Sequence, residues 1–150
     1  MEYEAEGWGK GELIFEDGLL AWHDLPRYPF RDRGATARHP LAGRMVAYFA
    51  GSRDSFADVE LDLDWCTEFQ RSALAAMREI PYGETASYGE VAALAGYVNA
   101  QRAVGTVCAG NRFGLIVPCH RVVAAESLGS YGSLGVEYKR RLLELEGVSL

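Results

Sequence analysis

Residues 116–123 read Ile-Val-Pro-Cys-His-Arg-Val-Val, which sets Cys119 beside His120 directly after Pro118. A cysteine is nucleophilic as its thiolate, and a neighbouring histidine can accept the thiol proton directly or through one water. Adjacent side chains on a regular strand point to opposite faces, so this chemistry requires a bent backbone, which Pro118 supplies. A buried structural cysteine beside a solvent-exposed histidine is the commoner explanation of such a pair taken alone. The residues around the pair therefore decide how it is interpreted.

Two short helices are predicted before this stretch. Ser87 and Glu90 form a capping box that opens a helix ending at Gly96. A second helix is expected from about residue 100 to 109, with Gly110-Asn111 as a left-handed end. Two short helices joined by a brief turn that contains glycine are typical of a helix-turn-helix.

The segment around and after the Cys-His pair predicts a short strand and a final helix. Residues 113–117 form an apolar, strand-like run, and the last helix is expected over about residues 136–146. Glu146 would then face the negative end of the helix dipole, where a carboxylate is disfavoured. A residue placed against its local preference often serves another purpose. Glu146 is therefore a candidate to hydrogen-bond the far nitrogen of His120 and fix its tautomer, the alternative being an exposed charge on a frayed helix end.

The first half of the chain has a different pattern. Residues 12–16 and 19–23 flank Asp17-Gly18, and this arrangement is the strongest short-range signal of a β-hairpin. Apolar residues at helical spacing follow over residues 41–49, and Gly51 ends that helix. This half is therefore expected to be a small sheet with a helix.

The boundary between the two halves is placed between residues 64 and 65. Thr67 and Gln70 form a further capping box just beyond it, opening another helix. The sequence predicts an α/β (α+β) fold. A small N-terminal hairpin or sheet-plus-helix domain over residues 1–64 is followed by a mostly helical C-terminal domain, with the helix-turn-helix, over residues 65–150.

Composition and charge restrict the partners. The 150 residues are 49% hydrophobic and 24% charged, as is typical of a globular chain with a buried core. No apolar stretch approaches the ~20 residues of a membrane span, so no membrane contact is expected. The net charge is −6, yet residues 91–125 contain no carboxylate and three arginines: Arg102, Arg112 and Arg121. This distribution permits a phosphate-facing surface on the second half only.

The cysteine pattern argues against a metal or a disulfide framework. Cys66, Cys108 and Cys119 include no CxxC pair, and His23, His39 and Cys66 lack ligand spacing, so no metal site is expected. No GxGxxG or P-loop pattern occurs, so no cofactor is expected either. A reducing cytoplasm is the expected location.

Five motifs carry a family resemblance. They are Tyr82-Gly-Glu-Thr-x-Ser-Tyr88, Arg102-Ala-Val-Gly105, Asn111, Ile116-Val-Pro-Cys-His-Arg-Val-Val123 and Leu142-Leu-x-Leu-Glu-Gly147. Together they resemble the methylated-DNA–protein-cysteine methyltransferases, also called O6-alkylguanine-DNA alkyltransferases, in order and at the family spacing over roughly residues 65–150. The first 60 or so residues resemble the family only in layout. The resemblance implies a DNA repair protein that flips O6-alkylguanine, mainly O6-methylguanine, out of duplex DNA. It would transfer the alkyl group irreversibly to its own cysteine, in a single turnover.

The same resemblance implies a role for each matching residue. Cys119 would accept the alkyl group, and His120, with a water and Glu146, would form the relay that deprotonates it. Arg102 would enter the base stack where the damaged guanine leaves it. Tyr88 would press on the 3′ phosphate of the target and hydrogen-bond the flipped base.

The resemblance also implies roles for further residues around these. Asn111 would tie the helix-turn-helix to the active-site strand. The guanine pocket would be formed by Tyr131, the Val122 carbonyl and the backbone near Ser133. Further DNA contacts would come from Gly89, Ala103 and Tyr97. The implied partner is double-stranded DNA that contains O6-alkylguanine, bound by a monomer.

Three other functions are weighed. A non-enzymatic alkyltransferase-like protein would bind lesions but lack the acceptor, whereas this chain has Cys119. A helix-turn-helix transcriptional regulator would carry base-reading side chains on its second helix, which here is mostly Ala, Gly and Val. A cysteine hydrolase would need an oxyanion hole, for which the sequence offers no evident residues.

Overall fold

The computed structural model describes residues 1–28 and 39–150. Within these residues the chain forms two small sheets and five α-helices, which confirms the predicted mixed fold class. It divides into two compact units, residues 1–62 with 112–114 and residues 63–111 with 115–150. Among the described residues, no helix combines the length and the apolar character needed to cross a bilayer.

The first unit consists of an antiparallel three-stranded sheet and a helix. The sheet has the order β1-β2-β3. Asp17 and Gly18 join the second and third strands with φ of 52° and 81°, the positive pair of a type I′ turn, which confirms the predicted hairpin. The elements are β1 (Glu2–Ala5), β2 (Gly9–Glu16), β3 (Leu19–Arg27) and α1 (Pro40–Phe49).

The helix of this unit begins and packs as its sequence dictates. His39 caps α1 by accepting a hydrogen bond from the Leu41 backbone, and Pro40 occupies the first turn, where its missing N–H is harmless. The helix packs against β1. The buried side chains of this core include Leu13, Leu20, Leu41, Met45 and Tyr48.

A buried histidine lies inside the first unit. Nδ1 of His23 lies 2.6 Å from the Gly114 carbonyl oxygen, and Nε2 lies 2.6 Å from Tyr3 Oη. A carbonyl oxygen only accepts, so Nδ1 carries the proton and Nε2 accepts from the tyrosine hydroxyl. Burial lowers the pKa of His23 to about 4, although the hydrogen bond to Gly114 opposes this shift. Both nitrogens of this neutral ring are therefore engaged.

The second unit carries the helices that the capping boxes predict. The Thr67 and Ser87 side chains each accept a hydrogen bond from the backbone three residues on, and the Gln70 and Glu90 side chains bond back to the caps. The helices are α2 (Glu68–Arg78), α3 (Tyr88–Leu94), α4 (Gln101–Ala109) and α5 (Val136–Leu145). The strands are β4 (Ala86–Ser87) and β5 (Val122–Val123), and 3-10 turns span Cys119–Arg121 and Gly132–Leu134.

The second sheet holds the two ends of the candidate site together. Helices α3 and α4 pack against each other and against α2, as expected for a helix-turn-helix. Strand β4 leads directly into α3, and β5 leaves the turn that contains Cys119. The two strands pair in parallel, with Ala86 opposite Val122 and Ser87 opposite Val123. The start of α3 is thereby fixed against the chain that follows the cysteine.

Two local predictions are wrong. Gly110 ends α4 with φ of −97° rather than in the left-handed region, because its N–H and that of Asn111 bond back to carbonyls of the last turn. Residues 113–117 are buried but do not form a continuous strand: Phe113 makes an isolated bridge with His23, and Leu115 and Ile116 form a turn, with φ of 75° at Leu115. The Val117 carbonyl accepts from Asn111 Nδ2 and from the Cys119 backbone, so side-chain and turn hydrogen bonds replace a strand ladder. An apolar run alone does not distinguish these cases.

Candidate active site

Cys119 begins a 3-10 turn directly after Pro118 and is only 6% exposed. Asn111, just after α4, donates two hydrogen bonds from Nδ2. One goes to Cys119 Sγ at 3.2 Å and the other to the Val117 carbonyl at 3.0 Å. The Asn111 amide therefore ties the end of the helix-turn-helix to the backbone that positions the thiol.

His120 is buried beside the cysteine in sequence and is bonded at one nitrogen. Nε2 lies 2.7 Å from Oε2 of Glu146, as the sequence analysis expects. A carboxylate only accepts, so Nε2 carries the hydrogen and Nδ1 carries a lone pair. Nδ1 is buried and has no hydrogen-bond partner among the described residues. Burial lowers the pKa of His120, although the hydrogen bond to Glu146 opposes it, so the ring is neutral and can accept a proton at Nδ1.

Glu146 is the C-cap of α5 and is buried in a set of donors. Arg121 donates from Nε to Oε1 at 2.8 Å and from Nη2 to Oε2 at 2.9 Å, and the Gly83 backbone donates to Oε1 at 3.2 Å. Burial alone would raise the pKa of Glu146, but the hydrogen bonds from His120 and Arg121 outweigh it and hold the pKa well below its usual range. The carboxylate is therefore ionised.

The local basic window does not form one surface. Arg121 is buried against Glu146, and Arg112 belongs to the first unit, where its guanidinium lies 5.3 Å from the Trp22 ring centroid. Arg102 alone of the three is exposed on α4. Counting charges along the chain could not separate a buried ion pair from a surface, so of these three arginines Arg102 is the one available to the phosphate-facing surface that the sequence permits on the second half.

Lys139 is a buried cation that the sequence analysis did not identify. Its Nζ donates to the Val122 carbonyl at 2.6 Å and to the Ser130 carbonyl at 3.3 Å, and it lies 5.9 Å from the Tyr88 ring centroid. Burial lowers the pKa of Lys139, whereas the nearby thiols oppose that shift. Positions 139, 142 and 143 follow the spacing of one helix face, which places Lys139 beside the apolar Leu142 and Leu143, but this pattern alone does not show that its ammonium group is buried.

A cavity of about 530 Å³ opens beside the cysteine. It is lined by residues of α3, α4, the Cys119 turn and the loop before α5. Tyr88, Arg102, Cys119 and Tyr131, which the sequence analysis names as site residues, all line it. Small residues form much of the remaining wall: Gly105, Ala109, Gly129, Ser130 and Gly132.

Other named residues lie outside this lining. The Val122 carbonyl accepts the Lys139 hydrogen bond, and Ser133 lies in the exposed turn before α5. Tyr97 packs edge-on against Phe69 with ring centroids 4.8 Å apart. Gly89 and Ala103 are exposed on α3 and α4 respectively. The structure thus brings together Cys119, His120, Glu146, Asn111 and Tyr131. The other five named residues lie outside the cavity lining: Val122, Ser133, Tyr97, Gly89 and Ala103.

The resting thiol is protonated. Burial raises the pKa of Cys119, although hydrogen bonds from Asn111 and Tyr131 and the charge of Lys139 act in the opposite direction. Cys108 also lines the cavity, and burial raises the pKa of its thiol to about 12. The arrangement can therefore generate a thiolate when a neutral imidazole accepts the proton, and cationic and amide groups are in place to stabilise it. Within residues 1–28 and 39–150, no group of three or more His, Cys, Asp or Glu side chains could hold a metal ion.

Comparisons with known proteins place the chain among relatives of one family. The family model described as 6-O-methylguanine DNA methyltransferase, DNA binding domain, matches residues 68–148. A methylated-DNA–protein-cysteine methyltransferase of Mycobacterium leprae is 50% identical over 137 residues, 90% of this chain and 75% of that protein. The Mycobacterium tuberculosis protein of the same name is 52% identical over 104 residues, which span 69% of this chain but only 61% of that protein. A crystal structure of M. tuberculosis OGT in complex with DNA superposes with a TM-score of 0.78 at 36% identity, covering 97% of this chain and 91% of that one.

Proposed function

We propose that this chain, which belongs to the 6-O-methylguanine DNA methyltransferase family, repairs O6-alkylguanine in double-stranded DNA by transferring the alkyl group to Cys119. The observation that carries the proposal is the neutral His120, which is held by Glu146 at Nε2, is left with a lone pair on Nδ1, and directly follows the buried Cys119 in sequence. A thiol of raised pKa needs such a base before it can act as a nucleophile.

The reaction is a single displacement. His120 Nδ1 takes the Cys119 proton through one water, and the thiolate sulfur attacks the alkyl carbon. The S–C bond forms as the C–O6 bond breaks, and the bonding pair leaves with the guanine. The resulting guanine anion takes up one proton at N1, and His120 releases the proton it accepted from Cys119, so the protons balance. The product is a thioether, whose sulfur is a poor leaving group and carries no proton for His120 to relay. Each chain therefore acts once.

The helix-turn-helix is proposed to supply the DNA contacts. An alkyl group on O6 is buried in the base stack, so the nucleotide must be extruded, at a cost of a few kcal/mol. Arg102, exposed at the edge of the cavity, would fill the gap, while Tyr88 would contact the target phosphate and base. Small exposed residues such as Gly89 and Ala103 allow close approach of the backbone.

The cavity is proposed to hold the extruded base. Tyr131 lines it, and the Val122 carbonyl and the backbone near Ser133 would read the base edge. The Val122 carbonyl already accepts from Lys139, so its second lone pair would serve the base. Lys139 would also stabilise the Cys119 thiolate, because its charge lowers the pKa of that thiol.

The other functions weighed from the sequence are not favoured. The acceptor cysteine that a lesion-binding relative would lack is present, and the proposed base directly follows it in sequence. The exposed positions of α4 are Gln101, Arg102, Ala103, Thr106 and Ala109, so only the first two carry long side chains that could reach base edges. We expect the protein in a reducing cytoplasm, because its three cysteines are odd in number and include no CxxC pair, and we expect it to bind DNA as a monomer.

Transfer stoichiometry tests the proposed function. Limiting protein mixed with excess duplex containing O6-methylguanine should repair one lesion per chain and gain the mass of one methyl group. Cys119→Ser should bind the lesion but transfer nothing, because a serine hydroxyl is too weakly acidic for the same base. Product that rises past one equivalent would contradict the mechanism. Methyl groups mapped to Cys66 or Cys108 would contradict the acceptor.

A paired substrate test examines the role of Arg102. Arg102→Ala should slow transfer from duplex on the order of tenfold, since it weakens extrusion, and leave transfer from the free base O6-methylguanine unchanged. Arg140→Ala removes the same charge from the exposed face of α5 and serves as the control. Equal losses on both substrates would show that Arg102 acts in the chemistry or the fold instead.

A further inference from the structure

We propose that Arg121 is a positioning residue that keeps His120 in its neutral, proton-accepting form, and thereby sets the lower pH limit of alkyl transfer. The proposal rests on the proposed function, because the rate of transfer to Cys119 is its readout. Nothing in the sequence pattern separates Arg121 from a surface charge. Its role follows from four hydrogen bonds that converge on one buried carboxylate.

The carboxylate of Glu146 has no acceptor site to spare. Oε1 receives Arg121 Nε and the Gly83 backbone, and Oε2 receives Arg121 Nη2 and His120 Nε2. A carboxylate offers about four lone-pair positions, so these four donors fill it. A proton on Glu146 would displace one of the four, and a buried donor would then be left unsatisfied. Glu146 is therefore fixed as an acceptor, and His120 is fixed with its hydrogen on Nε2.

Arg121 is itself held on three sides. Nη1 donates to the Ile80 carbonyl at 2.8 Å, and the guanidinium carbon lies 5.7 Å from the Tyr82 ring centroid. The remaining donors form the two-point contact with Glu146, a geometry that the planar guanidinium provides and an ammonium does not. The segment after α2 thus orients the arginine, and the arginine orients the carboxylate at the end of α5.

The charge of Arg121 determines whether the neighbouring His120 is neutral or protonated. With Arg121 in place, the Glu146 charge is already compensated inside the protein, and an imidazolium at His120 would add a second cation to the cluster. Without it, the buried carboxylate would be compensated best by protonating His120, and Nδ1 would no longer accept a proton. The charged or titratable groups that act on this ring are Glu146, through a hydrogen bond, and Arg121 and Lys139, through their charges. Loss of Arg121 therefore favours the protonated ring.

The test is the pH dependence of single-turnover transfer. Rate constants are measured from pH 5 to 9 with saturating methylated duplex for the unsubstituted protein, Arg121→Lys and Arg121→Gln. The half-maximal point of the acid limb should rise by about one pH unit or more in Arg121→Gln, and by less in Arg121→Lys, which keeps the charge but loses the two-point contact. An acid limb that stays in place in Arg121→Gln would overturn the proposal.

Two further measurements separate this role from a structural one. The burst amplitude reports the folded fraction, whereas the rate constant does not, so a merely destabilising substitution lowers the amplitude without moving the acid limb. In a Glu146→Gln background, Arg121→Gln should produce no additional shift, because the arginine acts through the carboxylate. An undiminished shift there would contradict the proposed route. An unsubstituted protein that transfers no alkyl group would refute the proposed function instead.

A direct measurement uses only the unsubstituted protein, so it does not depend on whether the Arg121 variants fold. The chain has three histidines, so the imidazole nitrogen resonances of His120 can be assigned in the unsubstituted protein. They should remain those of a neutral ring protonated at Nε2 throughout pH 6 to 7. An imidazolium spectrum in that range would overturn the proposal even if every Arg121 variant unfolds.

Discussion

His23 in the first unit and His120 in the second are both buried, at 3% and 0% exposure. Burial lowers the pKa of each, so both rings are neutral. His23 uses both nitrogens, one with Tyr3 Oη and one with the Gly114 carbonyl. His120 uses only Nε2, with Glu146, and its Nδ1 has no partner among the described residues. A buried histidine of lowered pKa is therefore not by itself a sign of chemistry; an unused nitrogen beside a nucleophile is.

The partners of the two rings differ in the same way. His23 is bonded to a hydroxyl and a carbonyl, which are neutral and fix one tautomer; the bond to the Gly114 carbonyl favours the charged ring but does not outweigh burial. His120 is bonded to a carboxylate, which stabilises the imidazolium formed while the proton is in transit. The first arrangement supports the fold, and the second supports a proton transfer.

The largest predicted effect comes from replacing each ring with the same side chain. His120→Gln should lower the single-turnover transfer rate 10²–10⁴-fold, the usual contribution of a positioned general base. His23→Gln should leave that rate constant unchanged and lower the free energy of unfolding by about 1–3 kcal/mol, because it disturbs buried hydrogen bonds. Single-turnover transfer assays quenched at successive times measure the rate constant, and urea unfolding measures the free energy of unfolding. Similar rate losses in both variants would show that the comparison fails.

The same comparison shows how far the sequence predicts the site. The Cys119-His120 pair and the placement of Glu146 could be read from short motifs, because local rules about caps and dipoles make Glu146 conspicuous. The capping boxes at Thr67 and Ser87 and the Asp17-Gly18 turn are likewise local, and the structure confirms them. Features determined by neighbours within three or four residues were therefore predictable.

Features that depend on distant contacts were not. Arg121 donates to the carboxylate of Glu146, 25 residues away, and to the carbonyl of Ile80, 41 residues away. No residue near Arg121 in sequence indicates either partner. Lys139 is buried only because the Val122 and Ser130 carbonyls are brought to it. The turn at Leu115 replaces a predicted strand because the Asn111 side chain takes the Val117 carbonyl. Each case needs a tertiary partner that a local pattern does not contain.

A second prediction concerns stability at acid pH. The folded-state pKa of His23 is about 4, below its ordinary value of 6.5, so the unfolded chain binds a proton more readily. The stabilisation is fully present above about pH 6.5 and is lost as the pH falls towards 4, at a total of about 3 kcal/mol. His23→Gln should lose this part of the pH dependence, while the part due to His120 remains. Urea unfolding at pH 7 and pH 4 measures the difference, and parallel curves for the two proteins would contradict it.

The smallest predicted effect makes His23 resemble His120. Tyr3→Phe removes the hydroxyl that donates to His23 Nε2. His23 would then resemble His120, because one nitrogen of its buried neutral ring would have lost its hydrogen-bond donor. The loss should lower the free energy of unfolding by about 1–2 kcal/mol, the usual cost of leaving a buried polar atom unsatisfied, and leave the transfer rate constant unchanged. Urea unfolding at pH 7 and the single-turnover assay measure both. A released nitrogen should create no activity there, because the hydrogen bonds of His23 go to a hydroxyl and a carbonyl, whereas His120 is bonded to a carboxylate and directly follows a cysteine. If Tyr3→Phe instead slowed transfer, the Tyr3–His23 hydrogen bond would contribute to the reaction at Cys119. The distinction between a histidine that supports the fold and a histidine that takes part in the reaction would then be wrong.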